Sequence, residues 1–268
     1  MHQDPASGAP EHGPRPARRR SDRGRYGRLS RERVLGTALE LVDREGLSAL
    51  SMRRLGAELG VEAMALYRYA EGKEGLLDGL VEAFFTELHA RLDAAAPAAA
   101  APAPGAGGEQ VTAGADAPGA DGAPRWRAEL HRMAAGTYRL ALDHPQVVPL
   151  LATRMLAVPL ARRPAAVLEQ HERVLALLRE AGLDGADSAA AFRAYSGWVL
   201  GYVLVELRAV VDDPDEPDPA FRLGLHRIPA RRLPLLRAAA PSLAERAGPR
   251  DLAAGLDALL DRFAPAEH

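Results

Sequence analysis

The amino-acid sequence predicts an all-α fold, and three observations carry that prediction. The apolar residues, 47% of 268 positions, are mainly Ala, Leu and Val, while aromatic residues make up 5%, a composition suited to packed helices. Runs of β-branched and aromatic residues with period-two alternation, the mark of strands, are nearly absent. Apolar positions recur instead three and four residues apart, the spacing that lines one face of a helix. Low-complexity stretches take up part of the length, so a small domain followed by a medium one is expected.

Residues 1–28 hold Pro, Gly and Arg without hydrophobic periodicity. They offer too little apolar surface to offset the entropy of ordering, and a disordered basic arm is expected there. From Arg31 the pattern changes: Val34, Leu35, Ala38, Leu41 and Val42 share a helical face, Ser30 is placed to cap the start, and Gly46 to end the helix after Glu45. Ser51 offers the next cap, for a short helix with Met52, Leu55 and Leu59 inward before Gly60 breaks it. A second short helix over 62–69 points Leu66 inward and leaves Glu62, Ala63, Met64, Tyr67 and Arg68 outward. Two short helices joined by a glycine-containing turn form a helix-turn-helix, so 29–75 is expected to be one small domain.

After Gly72 a longer helix carries Leu77, Leu80, Val81, Phe84, Phe85, Leu88 and Leu92 in a wide apolar stripe. It outgrows the small domain, so 76–93 is expected to connect to a second one. Residues 94–124 are Ala, Pro and Gly with scattered acids, a composition that defeats helix continuation and core formation, and are expected to be a disordered insertion. The second domain, 125–264, begins with a helix from Trp126 carrying Leu130, Met133, Ala134 and Tyr138 on one face, until His144 and Pro145 interrupt it. A helix over 164–181 ends at Gly182. Asp184 and Asp187 then cap the most apolar helix of the chain, which runs through Phe192, Tyr195, Trp198, Val199 and Tyr202 towards Val211. Proline and acid crowd 212–219, a surface loop. A helix over 230–239 is expected despite Pro234, and the last over 249–263 carries Leu252, Leu256, Leu259, Leu260 and Phe263, with Pro249 in its first turn.

The small domain has the chemistry that reading DNA requires. One short helix braces its neighbour, and the neighbour presents small or polar groups to base edges. In SMRRLGAELGVEAMALYRY that outward set is flanked by Arg53 before and by Lys73, the only lysine of the chain, after. The runs LSRERVLGTALELVDREGLSALSMRRLGAELGV and LYRYAEGKEGLLDGL resemble the amino-terminal domain of the tetracycline-repressor (TetR) family of transcriptional regulators across residues 30–85. The resemblance implies that Ser51 and Arg53 contact phosphate and that Ala63 and Met64 sit against base edges. It also implies that Tyr67, Tyr69 and Lys73 hold the DNA backbone. Ala63 and Met64 stand where the tetracycline-responsive members carry an amide and a proline. An operator of different sequence is therefore expected, read by contact with thymine methyls and by the reach of Arg68.

Beyond residue 124, RPAAVLEQHERVLALLREAGLDGADSAAAFRAYSGWVLGYVLVELRAVV is similar to the carboxy-terminal domain of the tetracycline-repressor subgroup. The resemblance implies a homodimer whose interface uses the SGWVLGYVLVEL helix and the terminal LAAGLDALLDRF helix. Gly197, Gly201, Leu204, Leu256 and Leu260 are the candidates for it, the glycines because they allow close helix approach. A pocket lined by Phe84, Phe85, Leu88, Met133, Tyr138, Met155, Trp198 and Tyr202 would take a hydrophobic or aromatic effector. The function so implied is a ligand-responsive repressor on a palindromic operator, its two recognition helices roughly 34 Å apart and released when the connector tilts. The competing class is a helical ligand-binding or scaffolding protein that keeps the module without using it on DNA.

Other classes are excluded by what the sequence lacks. There is no cysteine, hence no disulfide, thiolate metal site or cysteine nucleophile. His131, His144, His171 and His226 include no pair at the i, i+4 spacing that holds a metal. The MLAVPLARR segment lacks the histidine with which the tetracycline-responsive members hold their drug's metal ion. No serine, histidine and acid share a nucleophile context, and no glycine-rich phosphate loop follows a strand, so neither an enzyme nor a cofactor is expected. Net charge is -2, but it is distributed unevenly, with arginines at the amino end and an acidic run at 212–218. The longest apolar stretch, 197–211, carries Glu206 and Arg208 and falls short of a bilayer span. The polar, arginine-rich start is not a secretory signal, so the cytoplasm is expected.

Overall fold

The computed structural model describes residues 29–95, 123–207, 217–218, 221, 224–245 and 247–263, except for the side chains of 155–157. The basic arm over 1–28 lies outside the described residues, as do most of the insertion over 94–124 and most of the loop over 212–219. Among the described residues the fold is all-α, with no strand.

Three helices make the small domain: α1 (Arg31–Glu45), α2 (Met52–Leu59) and α3 (Ala63–Leu66). Their ends follow local chemistry. Ser30 Oγ accepts from the Arg33 amide at 3.2 Å and Ser51 Oγ from the Arg54 amide at 3.1 Å, each meeting one of the amides a helix start leaves open. Gly46 and Gly60 end α1 and α2 at positive φ, where an L side chain would be strained. The helix expected over 62–69 is shorter. After Leu66 the chain tightens into a turn in which the Tyr69 and Ala70 amides both reach the Leu66 carbonyl, at 2.8 and 3.1 Å.

The long helix α4 (Gly72–Ala94) leaves the small domain and runs into the second, built from α5 (Arg125–Asp143), α6 (Val148–Ala157), α7 (Ala165–Glu180), α8 (Gly185–Leu207), α9 (Pro234–Ala244) and α10 (Pro249–Phe263). It packs on α1 at one end and on α5, α6 and α7 at the other. Leu76, Leu80, Phe84 and Leu88 on α4 are completely buried, each worth about 1.5–3 kcal/mol of apolar burial. One continuous core therefore runs through both domains. Helix α6 was not expected from the sequence: Pro149 interrupts its pattern, but lies in the first turn, where proline costs no hydrogen bond. Helix α9 begins at Pro234 rather than near Ala230, the same first-turn preference setting its start.

Helix α10 closes the bundle against α8 and α5. Arg127 and His131 on α5 both reach the Asp257 carboxylate, at 2.9 and 2.8 Å. Trp198 lies across Gly255 and donates its indole N–H to the Leu252 carbonyl at 3.1 Å. Tyr202 donates its hydroxyl to the Gly248 carbonyl at 2.7 Å. Burial, with Glu206 and Asp251 nearby, pushes that phenol up to about 12.

Candidate nucleic-acid interface and interior cavity

The two short helices meet at Gly56. A side chain there would put its Cβ 2.9 Å from the Val61 carbonyl oxygen and 3.2 Å from the Ala63 amide nitrogen, so the crossing of α2 and α3 requires glycine. Val61 donates back to the Gly56 carbonyl at 2.9 Å, and Gly60 makes the left-handed turn between them. Leu66, wholly buried, pins α3 to the core, while Met64 is 73% and Tyr67 50% exposed. Met64 on α3 and Tyr67 just after it thus place two large side chains side by side on the outer face of the module.

Around this point the expected contact residues divide. Ser51, Arg53, Met64, Tyr67, Arg68 and Lys73 are exposed, and Ala63 is half-buried beside Gly56. Tyr69 is half-buried and bonded within the domain. Its hydroxyl donates to the Leu29 carbonyl at 2.8 Å and its own carbonyl accepts from Arg31, so it serves as a strut holding the segment after α3 to the start of α1. Arg68 lies over its ring at 5.5 Å. Arg54, next to Arg53 in sequence, is held away by Glu45 and Glu58. This ion-pair cluster separates the two arginines: one is engaged within the domain and the other faces outward.

In the second domain, a cavity of about 40 Å³ that reaches between the helices from the surface is lined by Phe85 on α4, Thr137 on α5, Gln170, His171 and Val174 on α7, and Phe192, Tyr195, Ser196, Val199 and Leu200 on α8. Of the expected pocket residues whose side chains are described, only Phe85 lines it. Phe84, Leu88, Met133 and Tyr138 are buried in the close-packed core, and Trp198 and Tyr202 are turned to α10 by their hydrogen bonds. The side chain of Met155 lies outside the described residues. The residues missed are polar ones set in apolar stripes: Thr137 and Gln170 are buried, and His171 meets the edge of Phe192 with ring centroids 5.0 Å apart. Gln170 is 3.1 Å from His89. The Nδ1 of His171 is buried without a hydrogen-bond partner, and burial, reinforced by Arg163, holds its imidazole below the ordinary 6.5. Tyr195 spends its hydroxyl on the Leu130 carbonyl at 3.1 Å.

The expected interface residues divide as well. Space around Gly197 and Gly201 is open; with Val205, 72% exposed, they stand four residues apart on one outward stripe of α8. Leu204 is half-buried. Leu256 and Leu260 do not belong to an outer surface: they are 0% and 1% exposed, packed inside the protomer. Ala254 and Ala258 are exposed apolar positions of α10, between the charged residues exposed at its two ends. Among the described residues no group of three His, Asp or Glu is placed to hold a metal ion, and no helix is long and apolar enough to cross a membrane.

Residues 34–80 match the family of bacterial regulatory proteins named tetR, and residues 117–261 match the tetracyclin repressor-like C-terminal domain. The HTH-type transcriptional repressor DrrR1 of Streptomyces coeruleorubidus is 32% identical over 70% of this chain, which spans 58% of that protein's length. Tetracycline repressor protein class A from transposon 1721 of Escherichia coli is 30% identical over 74% of this chain and 88% of its own. Among solved structures, the Streptomyces coelicolor TetR family protein ActR in complex with actinorhodin superposes with a TM-score of 0.62 at 25% identity, covering 88% of this chain and 95% of ActR. The helix-turn-helix crossing at Gly56, the connector and the helical second domain thus agree with both family matches, and the chain belongs to the tetR family of bacterial regulatory proteins.

Proposed function

We propose that this protein is a ligand-responsive transcriptional repressor: a cytoplasmic homodimer that binds a palindromic operator through α3 and is released by a small hydrophobic or aromatic molecule. The observation that carries this reading is the exposure of Met64 on α3 and of Tyr67 directly after it, the helix pinned from behind by Leu66 and flanked by Arg53, Arg68 and Lys73. Exposed cations anchor phosphate, and the apolar Met64 and Ala63 suit thymine methyls. The outward stripe of Gly197, Gly201 and Val205 supports a helix-on-helix dimer, and Ala254 and Ala258 replace Leu256 and Leu260 as the contribution of α10.

The cavity of the second domain supports the response to a ligand. At about 40 Å³ it is far smaller than the roughly 300–1,000 Å³ that small-molecule sites occupy. An aromatic effector enters only by displacing side chains, among them Phe85 on the connector. Ligand binding and the resting position of α4 are then alternatives, which is the differential affinity that a shift in conformation requires. Thr137, Gln170, His171 and Ser196 supply polar anchors in an otherwise apolar wall, and the capture of actinorhodin by ActR supports an aromatic ligand.

The test is fluorescence anisotropy with duplexes from the promoter region beside the gene. The wild-type chain binds one of them with strong salt dependence, and Tyr67→Ala abolishes that binding while leaving the dimer intact. A folded dimer that binds none of these duplexes in a salt-sensitive way refutes the reading.

A further inference from the structure

The polar groups in the wall of the second-domain cavity differ in what they have left to offer. Thr137 donates its hydroxyl to the Met133 carbonyl at 2.9 Å, and Tyr195 donates its own to the Leu130 carbonyl at 3.1 Å. The Oε1 of Gln170 lies 3.1 Å from the Nε2 of His89 on the connector. These three are engaged within the protein. His171 stands in the same wall, yet its Nδ1 is buried without a hydrogen-bond partner. A buried polar atom left in that state is costly, and at the wall of a cavity it is an open recognition position.

The ring that carries this atom is held in place. The edge-on contact with Phe192, with an interplanar angle of 78°, fixes its plane against α8. Burial and the nearby Arg163 both favour its neutral form. In a neutral imidazole one nitrogen bears a proton and the other accepts one, so Nδ1 can serve as an acceptor. The rest of the wall is largely apolar, from Phe85, Val174, Phe192, Val199 and Leu200.

We propose that His171 sets the chemical class of the effector: a neutral hydroxylated aromatic, its hydroxyl donating to His171 Nδ1 and its ring packed among Phe85, Phe192 and Val199. This rests on the reading of the cavity as the effector site and adds what that site selects. A plain hydrocarbon would leave Nδ1 unanswered. A carboxylate has no proton to give a neutral ring, and would lose its hydration against five apolar side chains. A cation would be repelled by Arg163, which already acts on the same imidazole.

Calorimetric titration of the full chain with phenol, toluene and benzoate decides it. Toluene has the shape of phenol with a methyl group in place of the hydroxyl, so a cavity that reads only shape and apolar area prefers toluene. Phenol is expected to bind at least tenfold more tightly than toluene, and more tightly than benzoate, because a site built around a hydroxyl rejects the analogue that lacks it. His171→Leu is expected to weaken phenol at least fivefold and leave toluene within twofold, a split that general loosening of the fold would not produce. The wild-type comparison decides the matter even where that variant folds poorly. Toluene binding as tightly as phenol, or benzoate more tightly, overturns the proposal and leaves the cavity as an effector site of another kind. A phenol preference that survives in a folded His171→Leu variant also overturns it. No saturable binding of any of the three overturns it together with the aromatic-effector reading of the cavity.

Discussion

The Nδ1 of His144 lies 2.6 Å from the Asp43 carboxylate, and its Nε2 lies 3.2 Å from that of Glu87. One imidazole thus ties α1 of the small domain to α4 and to the end of α5. Both side chains of the shorter contact are largely buried, at 12% and 24% exposure, so solvent screens it less than the surface ion pairs of the chain. His144→Ala and Asp43→Asn are each expected to cost about 1–2 kcal/mol in urea unfolding. In a double-mutant cycle their coupling should exceed about 0.5 kcal/mol, and strict additivity would show that the contact carries no energy of its own.

His171 should make stability fall on the acid side. Its folded pKa lies below the ordinary 6.5 because burial, and then Arg163, disfavour the charged ring. The unfolded chain therefore takes up the proton first. Stability contributed by the neutral ring is complete above the unfolded pKa and is lost as pH falls through it towards the folded value. Melting temperature measured between pH 7.5 and 5 is expected to drop more steeply for the wild type than for His171→Gln. Parallel curves would refute this assignment.

Gly56→Val should damage the DNA-reading module from within. The new side chain meets backbone, the Val61 carbonyl oxygen at 2.9 Å from its Cβ, and backbone cannot rotate away as a side chain can. A loss of about 1–3 kcal/mol is expected, together with loss of duplex binding and an unchanged sedimentation coefficient. Unaltered duplex affinity would mean that the α2–α3 crossing does not need glycine.

Two substitutions separate interface from core. Gly201→Trp fills open space on the outward stripe of α8 and is expected to yield folded monomers by sedimentation. Leu256→Ala empties a fully buried site and is expected to cost about 2–5 kcal/mol, seen as a lower urea midpoint rather than as dissociation of native protein. A dimeric Gly201→Trp variant would remove this face from the interface.

Much of the helical layout was legible because helix starts and stops are local. Ser30 and Ser51 cap their own next turns, Gly46 and Gly60 release theirs, and Pro249 opens the last helix. Helix α6 escaped notice because it is short and carries Pro149, whose tolerance depends on its being in the first turn. The cavity of the second domain was largely illegible. Thr137, Gln170, His171 and Ser196 come from three helices separated by long stretches of chain, and each reads locally as an ordinary polar residue. The usable signal was the appearance of Thr137 and Gln170 at positions where the apolar stripes of α5 and α7 require burial.

The sequence by itself determined the all-α class, the short-helix pair with Met64 and Tyr67 outward, and the membership implied by its motifs. Each of these rests on spacing within a few turns of one helix. Tertiary structure alone decided what covers each apolar face. Leu256 and Leu260 share a stripe with Leu252, and periodicity states that they lie together; it does not state whether the cover is α8 of the same chain or a partner. Trp198 and Tyr202 likewise carry bulk that suits a pocket, yet the Leu252 and Gly248 carbonyls draw them to α10. Apolar burial is non-directional, so a helical pattern names the face to be hidden and leaves the choice of neighbour to the packing of the whole chain.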